Sequence, residues 1–323
     1  MQTNFRWAIT QAIDEEMERD KSVFVLGEDV AASGGSFGLT RGLLEKYGEM
    51  RVRDTPVSEE AIVGLGVGAA AVGLKPIVEI MFMDFIYLAM DQIINHAAKM
   101  RYMYGGQVSI PLVVRTLAGG GFRTGMHHSQ SIESMFGHVP GLKVVYPSTP
   151  SDAKGLLKSA IRDPDPVIFL EQKTLMSVKE SIPEGDYTVP IGKGKIVQEG
   201  NDITIVALGI CVSQAVRVAK KYENSISIEI IDPRTVMPLD KEIIKNSVKK
   251  TSRLIIIHEA YAPFGFGSEV AAIIAEEGLY DLEAPIKRIA SKFVPYPVGT
   301  GEDFIMPSDE DLTNAIEQIM RGE

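Results

Sequence analysis

The segment that decides the fold lies near residue 60, where an extended approach turns into a helix of small residues. It reads Arg53-Asp54-Thr55-Pro56-Val57-Ser58-Glu59-Glu60 and continues with Ala61-Ile62-Val63-Gly64-Leu65-Gly66-Val67-Gly68-Ala69-Ala70-Ala71-Val72-Gly73. Proline favours an extended residue before it, and serine is a good helix N-cap. The carboxylates after Ser58 fall in the first turn, where the helix dipole favours negative charge. We therefore predict a carboxylate held at a helix start, either as a simple cap or as part of a site.

Four glycines follow within ten residues, at Gly64, Gly66, Gly68 and Gly73. Because glycine costs about 1 kcal/mol inside a helix, their number predicts that another backbone approaches this helix closely. An alternative is the dinucleotide-binding pattern G-x-G-x-x-A, which Gly66 begins. That pattern requires a strand that ends at its first glycine. Since these glycines fall inside the predicted helix, a nicotinamide dehydrogenase is disfavoured.

Short apolar runs alternate with helix-like segments along the chain, which indicates βαβ units and a mainly parallel sheet. The first run, Val23–Leu26, is followed by Gly27, Glu28 and Asp29. Ligands of open α/β sheets bind at the carboxyl ends of strands, so Glu28 is a candidate site residue, with a solvated loop acid as the alternative. We also predict one long helix over 85–104 and a helix over 151–162 that Ser151 caps.

Proline, glycine and scattered charges cluster between residues 180 and 200, and this composition indicates a linker. A second set of apolar runs and helix-like segments follows it. We predict an α/β fold with two three-layer domains, each built on a mainly parallel sheet. The predicted boundaries are residues 1–180, a linker at 181–200, and residues 201–323.

Composition excludes several classes of protein. The 323 residues carry a formal net charge of −10, which argues against nucleic-acid and anionic-membrane partners. A single cysteine, Cys211, excludes an internal disulfide and suits a reducing compartment. No apolar run reaches the ~20 residues that span a bilayer. Acidic residues in the first predicted helix argue against a targeting signal, so we expect a cytoplasmic protein without membrane association.

The motif from Asp54 to Glu59, with its Gly/Ala-rich helix, resembles the beta subunit of the thiamine-diphosphate-dependent component of 2-oxo acid dehydrogenase complexes. That group includes the pyruvate, branched-chain and acetoin dehydrogenases. Further segments match in the same order: Asp91-Gln92, His128-Ser129-Gln130-Ser131, Pro140-Gly141-Leu142-Lys143-Val144-Val145 and Lys158-Ser159-Ala160-Ile161-Arg162-Asp163. The resemblance implies a transketolase-like pyrimidine-binding domain followed by a transketolase carboxyl-terminal-like domain.

The resemblance implies that this chain holds the aminopyrimidine half of thiamine diphosphate. Glu59 would hydrogen-bond to a ring nitrogen and drive the shift to the imino form, which removes a proton from the thiazolium carbon. Phe85 and Phe82 would line the apolar slot for the ring, although aromatic residues at a strand–helix junction are by default core. Glu28 would belong to the same cofactor site.

A glycine-rich loop, Gly119–Gly125, leads to the adjacent histidines His127 and His128. Adjacent histidines rarely face one ion and no further Cys/His cluster accompanies them, so a metal site is disfavoured. Histidine moves protons near neutral pH. By resemblance, His128 would orient the substrate or donate a proton as the acyl group passes to lipoamide.

The end of the predicted helix near Ile161 is a weaker candidate for a cation site. Unpaired carbonyls at a helix C-terminus carry the negative end of the dipole, and hard cations prefer oxygen ligands. The residues alone are equally consistent with a helix end and solvated loop acids. The family binds potassium here, through positions that correspond to Leu112, Ala160, Ile161, Asp163 and Asp165, the last of which is often asparagine in the family.

Thiamine diphosphate enzymes hold the diphosphate through Mg²⁺ at a Gly-Asp-Gly segment, which this sequence lacks. The resemblance assigns the diphosphate-binding half of the cofactor site to an alpha subunit, in a heterotetramer of two alpha and two beta subunits. The carboxyl-terminal domain would dock a lipoyl acyltransferase. We therefore predict oxidative decarboxylation of a branched-chain 2-oxo acid or pyruvate with acyl transfer to lipoamide. Alternatives are an acetoin dehydrogenase beta subunit, a transketolase-like or 1-deoxyxylulose-5-phosphate synthase-like subunit, and a non-catalytic scaffold.

Overall fold

Strands and helices alternate along the chain in the computed structural model, which describes residues 2–323. The strands are β1 Gln2–Asn4, β2 Val23–Gly27, β3 Val52–Asp54, β4 Lys75–Phe82, β5 Val113–Ala118, β6 Lys143–Val145, β7 Val167–Gln172, β8 Lys179–Ser181, β9 Lys195–Gln198, β10 Ile203–Ala207, β11 Ile228–Asp232, β12 Thr235–Met237, β13 Leu254–Tyr261 and β14 Lys287–Ser291. The α-helices are α1 Phe5–Arg19, α2 Leu43–Tyr47, α3 Glu59–Ala71, α4 Ala98–Met103, α5 Glu133–Gly137, α6 Pro150–Arg162, α7 Ile210–Ala219, α8 Lys241–Thr251, α9 Phe266–Glu277 and α10 Asp309–Met320.

The chain divides into two units. The first comprises residues 2–118 with Met135–Ile191, and the second comprises Gly119–Ser134 with Gly192–Glu323. The loop that carries the histidine pair therefore clusters with the carboxyl-terminal unit, although it lies within the predicted first domain. The boundaries 1–180, 181–200 and 201–323 stay a prediction.

The first unit is built on parallel strands in the order β6-β7-β5-β4-β2-β3. Each neighbouring pair in this order is parallel. Most residues of these strands are buried, as the near-continuous apolar runs of a parallel sheet require. Asn4 caps helix α1, and its side-chain Oδ1 accepts a hydrogen bond from Trp7 N at 2.9 Å. Its buried face contains Phe5, Ile9 and Ile13.

The second unit has its own five-stranded sheet in the order β14-β13-β10-β11-β9. Strands β10, β11, β13 and β14 are parallel, whereas β9 runs antiparallel to β11. The core beneath the sheet includes Ile205, Ile230, Ile257, Val218 and Ile316. Two mainly parallel sheets covered by helices confirm the predicted α/β fold class.

The predicted long helix over residues 85–104 lies within an unbroken helical stretch from Met83 to Met103, but its hydrogen-bond register changes along the way. A 3-10 segment at Met83–Ala89 follows β4 directly, a π-helical turn occupies Gln92–Ala97, and α4 completes the stretch. The apolar face nevertheless continues through these segments, with Ile86, Ile93 and Ala97 buried. Hydrophobic spacing predicts such a face but does not distinguish helices that differ only in hydrogen-bond register.

Two predicted caps differ in the structure. Ser58 precedes α3 as its N-cap, but its side chain makes no capping hydrogen bond. The prediction that Ser151 caps the next long helix is wrong, because Thr149 caps α6 and Pro150 is its first residue. Thr149 Oγ1 accepts a hydrogen bond from Asp152 N at 3.2 Å. Proline is pre-organised for the first helical position, which moves the cap before it.

Within residues 2–323, no helix combines the length and apolar character that crossing a bilayer requires.

Candidate functional site

Three neighbouring strands bring the predicted cofactor residues of the first unit to one edge of its sheet. Strand β2 lies between β4 and β3, and all three are parallel, so their carboxyl ends meet. Glu28 follows β2, Phe82 ends β4, and Glu59 opens the helix after β3. This edge is where open α/β sheets bind ligands.

The carboxylates of Glu28 and Glu59 are close enough to interact electrostatically. The pKa of Glu28 is raised above its ordinary value, first by burial and then by the negative charges of Asp29 and Glu59. Glu59 is half-buried, whereas Glu60 is exposed. Of the two acids in the first turn of α3, Glu59 is therefore the one that the fold shields from solvent.

An aromatic pair lies at the end of β4. The rings of Phe82 and Phe85 pack edge-to-face, with centroids 6.0 Å apart and an interplanar angle of 87°. Both side chains are half-buried. The ammonium of buried Lys173 lies 5.5 Å from the Phe82 ring centroid, within cation–π range. The pair forms an apolar surface at the end of β4, on the same edge of the sheet as Glu28 at the end of β2.

The loop after Glu28 is held by two acids that sequence reasoning missed. Asp54, at the end of β3, accepts hydrogen bonds from Ala31 N at 2.6 Å and Ala32 N at 3.1 Å. Glu79, in the middle of β4, accepts one from Ser36 N at 2.9 Å. These bonds fix the course of the chain immediately after Glu28.

Glu79 also belongs to a buried ion-pair cluster across three adjacent strands. Arg115 on β5 is fully buried and donates to Glu79 at 3.1 Å and to Glu171 on β7 at 2.7 and 3.1 Å. Burial raises the pKa of Glu171 to about 6, even though Arg115 acts in the opposite direction. Charged residues inside the apolar runs of β4, β5 and β7 were the available sequence signal for this cluster.

His128 lies in the second unit, on the loop that Gly119 begins. Its side chain is half-buried, and that of His127 is exposed. The backbone N–H of His128 donates to Gly125 O at 3.1 Å. Thr124 Oγ1 donates to His128 O at 3.3 Å. These bonds form a tight turn at His128.

The potassium ligands implied by the resemblance lie at the end of α6 and beside the start of β5. Lys143 Nζ lies 2.6 and 2.7 Å from the carboxylate oxygens of Asp163, and Arg101 donates to Asp165 at 2.6 Å. Both carboxylates are therefore already paired with cations. The oxygens of Leu112 and Ala160 each accept one backbone hydrogen bond, which leaves each carbonyl a second lone pair. The oxygens still able to accept a cation here are therefore chiefly backbone carbonyls.

The glycines of α3 have two different environments. A Cβ at Gly66 would lie 2.7 Å from Val78 Cγ2 and 3.0 Å from Leu112 Cδ1, so this glycine lets the helix pack on the sheet. At Gly68, a Cβ would meet no atom of residues 2–323 beyond its own helix within 4 Å. Gly68 instead lines a groove of about 750 Å³ together with Ser58, Leu65 and Val72. The part of α3 at Gly66 is therefore packed on the sheet, whereas the part at Gly68 faces an open groove.

Among residues 2–323, no group of three or more His, Cys, Asp and Glu side chains could hold a metal ion.

Comparison with protein families assigns both parts of the chain. Residues 1–179 match the family described as transketolase, pyrimidine binding domain. Residues 192–312 match the family described as transketolase, C-terminal domain. The two matches agree with the two α/β units built on separate sheets.

Full-length relatives share nearly half of the sequence. The chain is 48% identical over 316 residues to the 2-oxoisovalerate dehydrogenase subunit beta of Bacillus subtilis (strain 168), covering 97% of each chain. It is 46% identical to the pyruvate dehydrogenase E1 component subunit beta of Acholeplasma laidlawii, covering 98% of this chain and 97% of the relative. It is 43% identical to the acetoin:2,6-dichlorophenolindophenol oxidoreductase subunit beta of Cupriavidus necator, covering 99% and 98%.

Among solved structures, the chain resembles a split gene transketolase described as an inactive beta4 tetramer. The TM-score is 0.80 at 22% sequence identity, with 98% of each chain covered. At this identity the likeness shows a shared transketolase-like fold.

Proposed function

Because the chain belongs to the family of E1 component beta subunits of the 2-oxoisovalerate, pyruvate and acetoin dehydrogenases, we propose that it works with an alpha subunit in the oxidative decarboxylation of a 2-oxo acid. The acyl group would pass to a lipoyl acceptor. The observation that carries the proposal is the meeting of Glu28, Glu59 and the Phe82–Phe85 pair at one edge of the first sheet.

When bound, thiamine diphosphate would supply the reactive thiazolium carbon. From a rigid position at the start of α3, Glu59 would hydrogen-bond to a nitrogen of the cofactor's aminopyrimidine ring and share a proton with that nitrogen. Phe82 and Phe85 would pack against the ring and exclude water. Glu28 would lie next to Glu59 in the same site, where burial and the neighbouring negative charges raise the pKa of its carboxyl group. On the second unit, His128 would orient the substrate or move a proton during acyl transfer.

The alpha subunit would supply the Mg²⁺ and the groups that grip the diphosphate, because this sequence contains no Gly-Asp-Gly segment. We propose that the open face of α3 is a surface on which a partner subunit packs, in a heterotetramer of two alpha and two beta subunits. Exposed Val57, Leu65 and Val72, at 70%, 60% and 80% of their full accessibility, support an interface there. We propose a cytoplasmic location for this assembly.

The carboxyl-terminal unit would dock the lipoyl acyltransferase. Acidic side chains outnumber basic ones between residues 201 and 323, which suits a basic partner domain. Binding that is insensitive to ionic strength would contradict this electrostatic docking.

The oxygens of Leu112, Ala160, Ile161, Asp163 and Asp165 would hold potassium. Replacing K⁺ with choline at constant ionic strength should lower the melting temperature of the chain, since a bound ion stabilises the state that binds it. An unchanged melting temperature would exclude the potassium site.

The substrate we propose is a branched-chain 2-oxo acid or pyruvate. Acetoin is a second candidate, because a relative named for acetoin oxidation matches over 99% of this chain. Assays of the assembled complex with 2-oxoisovalerate, pyruvate and acetoin would rank the three, with 2,6-dichlorophenolindophenol as electron acceptor.

The test of the whole proposal combines this chain with its alpha subunit and thiamine diphosphate. Glu59→Gln should lower turnover by about 100-fold or more, because the group that promotes proton removal is lost. Glu60→Gln, one residue along the same turn, is the matched control and should leave turnover unchanged. A complex that binds the cofactor and turns over none of the three substrates would instead favour the scaffold alternative.

A further inference from the structure

The loop before His128 has an unusual backbone pattern. Gly119, Gly121, Arg123 and Gly125 all have positive φ, at 84°, 93°, 59° and 84°, while the residues between them do not. Arg123 is the exception to glycine in this series, and a positive φ is unfavourable for a residue with a side chain. A loop with such turns can direct several backbone N–H groups towards one side, where they bind an anion in an arrangement called a nest.

A carboxylate from the same unit binds N–H groups of this loop. Glu302 is fully buried and lies in the 3-10 segment Gly299–Phe304. Its Oε1 accepts a hydrogen bond from Gly121 N at 3.1 Å, and its Oε2 accepts one from Arg123 N at 2.6 Å. Glu259, on β13, accepts a third from Gly120 N at 2.5 Å. Two carboxylates from separate elements thus bind three backbone amides of the loop, those of Gly120, Gly121 and Arg123.

The packing leaves the loop little room to shift. A Cβ on Gly120 would lie 2.6 Å from Glu302 Oε1, and one on Gly125 would lie 2.7 Å from Val298 Cγ2. The chain segment around Glu302 also pairs directly with the loop, since Thr124 bridges to Val298 and Gly299 N donates to Arg123 O at 3.1 Å. The positive-φ turns and the buried carboxylate are therefore one interlocked structure.

Residues 120–123, which these hydrogen bonds fix, lead directly into the turn that carries His128. Gly125 O, at the end of the nest, accepts the His128 N–H. Thr124, which bridges to Val298, donates its hydroxyl to His128 O. Beyond the histidine, Gly119 N donates to Gln130 O at 3.0 Å, which closes the base of the loop.

We propose that Glu302 is a positioning residue for His128: its carboxylate fixes the backbone of residues 120–123 and thereby the place of the imidazole. Glu302 acts through the loop and not on the substrate. The structural half of this inference concerns the loop alone, and the kinetic half rests on the proposed function.

The structural half is tested by amide hydrogen exchange on the full chain. In Glu302→Gln, a donor NH₂ replaces one acceptor oxygen, so one of the two loop amides loses its partner. Peptides covering 119–130 should exchange roughly 10- to 100-fold faster, as loss of a hydrogen bond to a charged group implies. Peptides from α9 should exchange at the wild-type rate.

Asp303→Asn is the matched control. The neighbouring Asp303 pairs with the Arg123 guanidinium at 2.7 Å, but both side chains are about half exposed and no loop amide depends on Asp303. Exchange in 119–130 should stay at the wild-type rate in this variant. Unchanged exchange in Glu302→Gln, or equal acceleration across the whole unit, would overturn the proposal.

The kinetic half uses the complex with the alpha subunit and a lipoyl acceptor, in a double-mutant cycle with His128→Gln. If Glu302 acts through His128, Glu302→Gln should slow acyl transfer, and the double variant should be no slower than His128→Gln alone. Additive losses would show a general structural effect and overturn the positioning role. If Glu302→Gln does not fold, Glu302→Asp keeps the charge, and it should show smaller changes in the same two measurements.

The two proposals fail in different ways. A wild-type complex without activity on any 2-oxo acid or acetoin would sink the proposed function, while the exchange result would still decide the role of Glu302. Conversely, an active complex whose Glu302→Gln variant has wild-type exchange and wild-type acyl transfer would sink only the role of Glu302.

Discussion

At the residue scale, burial makes His258 a group that resists protonation. Its side chain is 1% exposed, and neither ring nitrogen has a hydrogen-bond partner within residues 2–323. It packs against Phe266 and close to the backbone of Gly265 and Gly267 at the start of α9. Burial, and then the positive charge of Arg288, lower its pKa to about 4.

This lowered pKa predicts a pH dependence of stability. Between pH 4 and pH 6.5 the unfolded chain binds a proton at His258 and the folded chain does not, so stability rises with pH across this window and is flat above it. The full effect is about 3 kcal/mol, from roughly 1.4 kcal/mol for each unit of pKa difference. Urea unfolding of wild type and His258→Leu at several pH values would measure it.

The difference between the two proteins is the informative quantity, because Glu133 in the same unit acts in the opposite direction. Burial raises the pKa of Glu133 to about 7, with Glu259 contributing, so its stabilising effect is lost as pH rises towards that value. Between pH 4 and pH 6.5, stability should rise less with pH, or fall more, in His258→Leu than in the wild type, and the difference between the two curves is the histidine contribution. Parallel curves would contradict the prediction, whatever the packing cost of leucine.

At the element scale, the cluster of Arg115, Glu79 and Glu171 joins the three adjacent strands β4, β5 and β7. Removing the cation leaves two carboxylates buried without their partner. Arg115→Met should therefore lower the free energy of unfolding by about 3–5 kcal/mol at neutral pH. Because the carboxylates can then be neutralised by protonation, the loss should be smaller at pH 5 than at pH 8.

Arg101→Met is the control for this prediction. Its pair with Asp165 is partly exposed, so its loss should change stability by no more than about 1 kcal/mol. Chemical denaturation of both variants at the two pH values measures the contrast. If Arg115→Met loses the same free energy of unfolding at pH 5 and at pH 8, the charges of the two buried carboxylates do not cause the loss.

At the scale of the whole molecule, the two environments within α3 separate folding from assembly. Gly66→Ala places a methyl group against Val78 and should destabilise the isolated chain by about 1–3 kcal/mol through overpacking. Gly68→Ala meets no such neighbour and should stabilise the isolated chain by up to about 1 kcal/mol through helix propensity. Thermal unfolding of both variants compares them.

A side chain at Gly68 should affect assembly differently from folding. If a partner subunit packs on this face, Gly68→Leu should weaken association with the alpha subunit in sedimentation experiments while the chain itself stays folded. Wild-type association of the Gly68→Leu chain would show that the partner packs elsewhere.

The sequence alone was sufficient for the fold class and for placing Glu28 after a strand and Glu59 at a helix start, whereas their roles in a cofactor site stay a prediction. Apolar runs of length suited to strands, separated by helix-like segments, predicted both parallel sheets. Glu28 was predicted because it follows a strand, and Glu59 because it opens a helix. The placement of these residues could be predicted because strand and helix patterns depend on neighbours only a few residues apart.

Only the tertiary structure decided which distant residues support those candidates. Glu302 holds backbone amides 179 and 181 residues away in sequence, and no local pattern marks it. Likewise, close packing on the sheet explains Gly66 but not Gly68, although the sequence presents them alike. The physical reason is that such contacts depend on how strands align and helices pack, whereas propensity and periodicity act within a few residues of the chain.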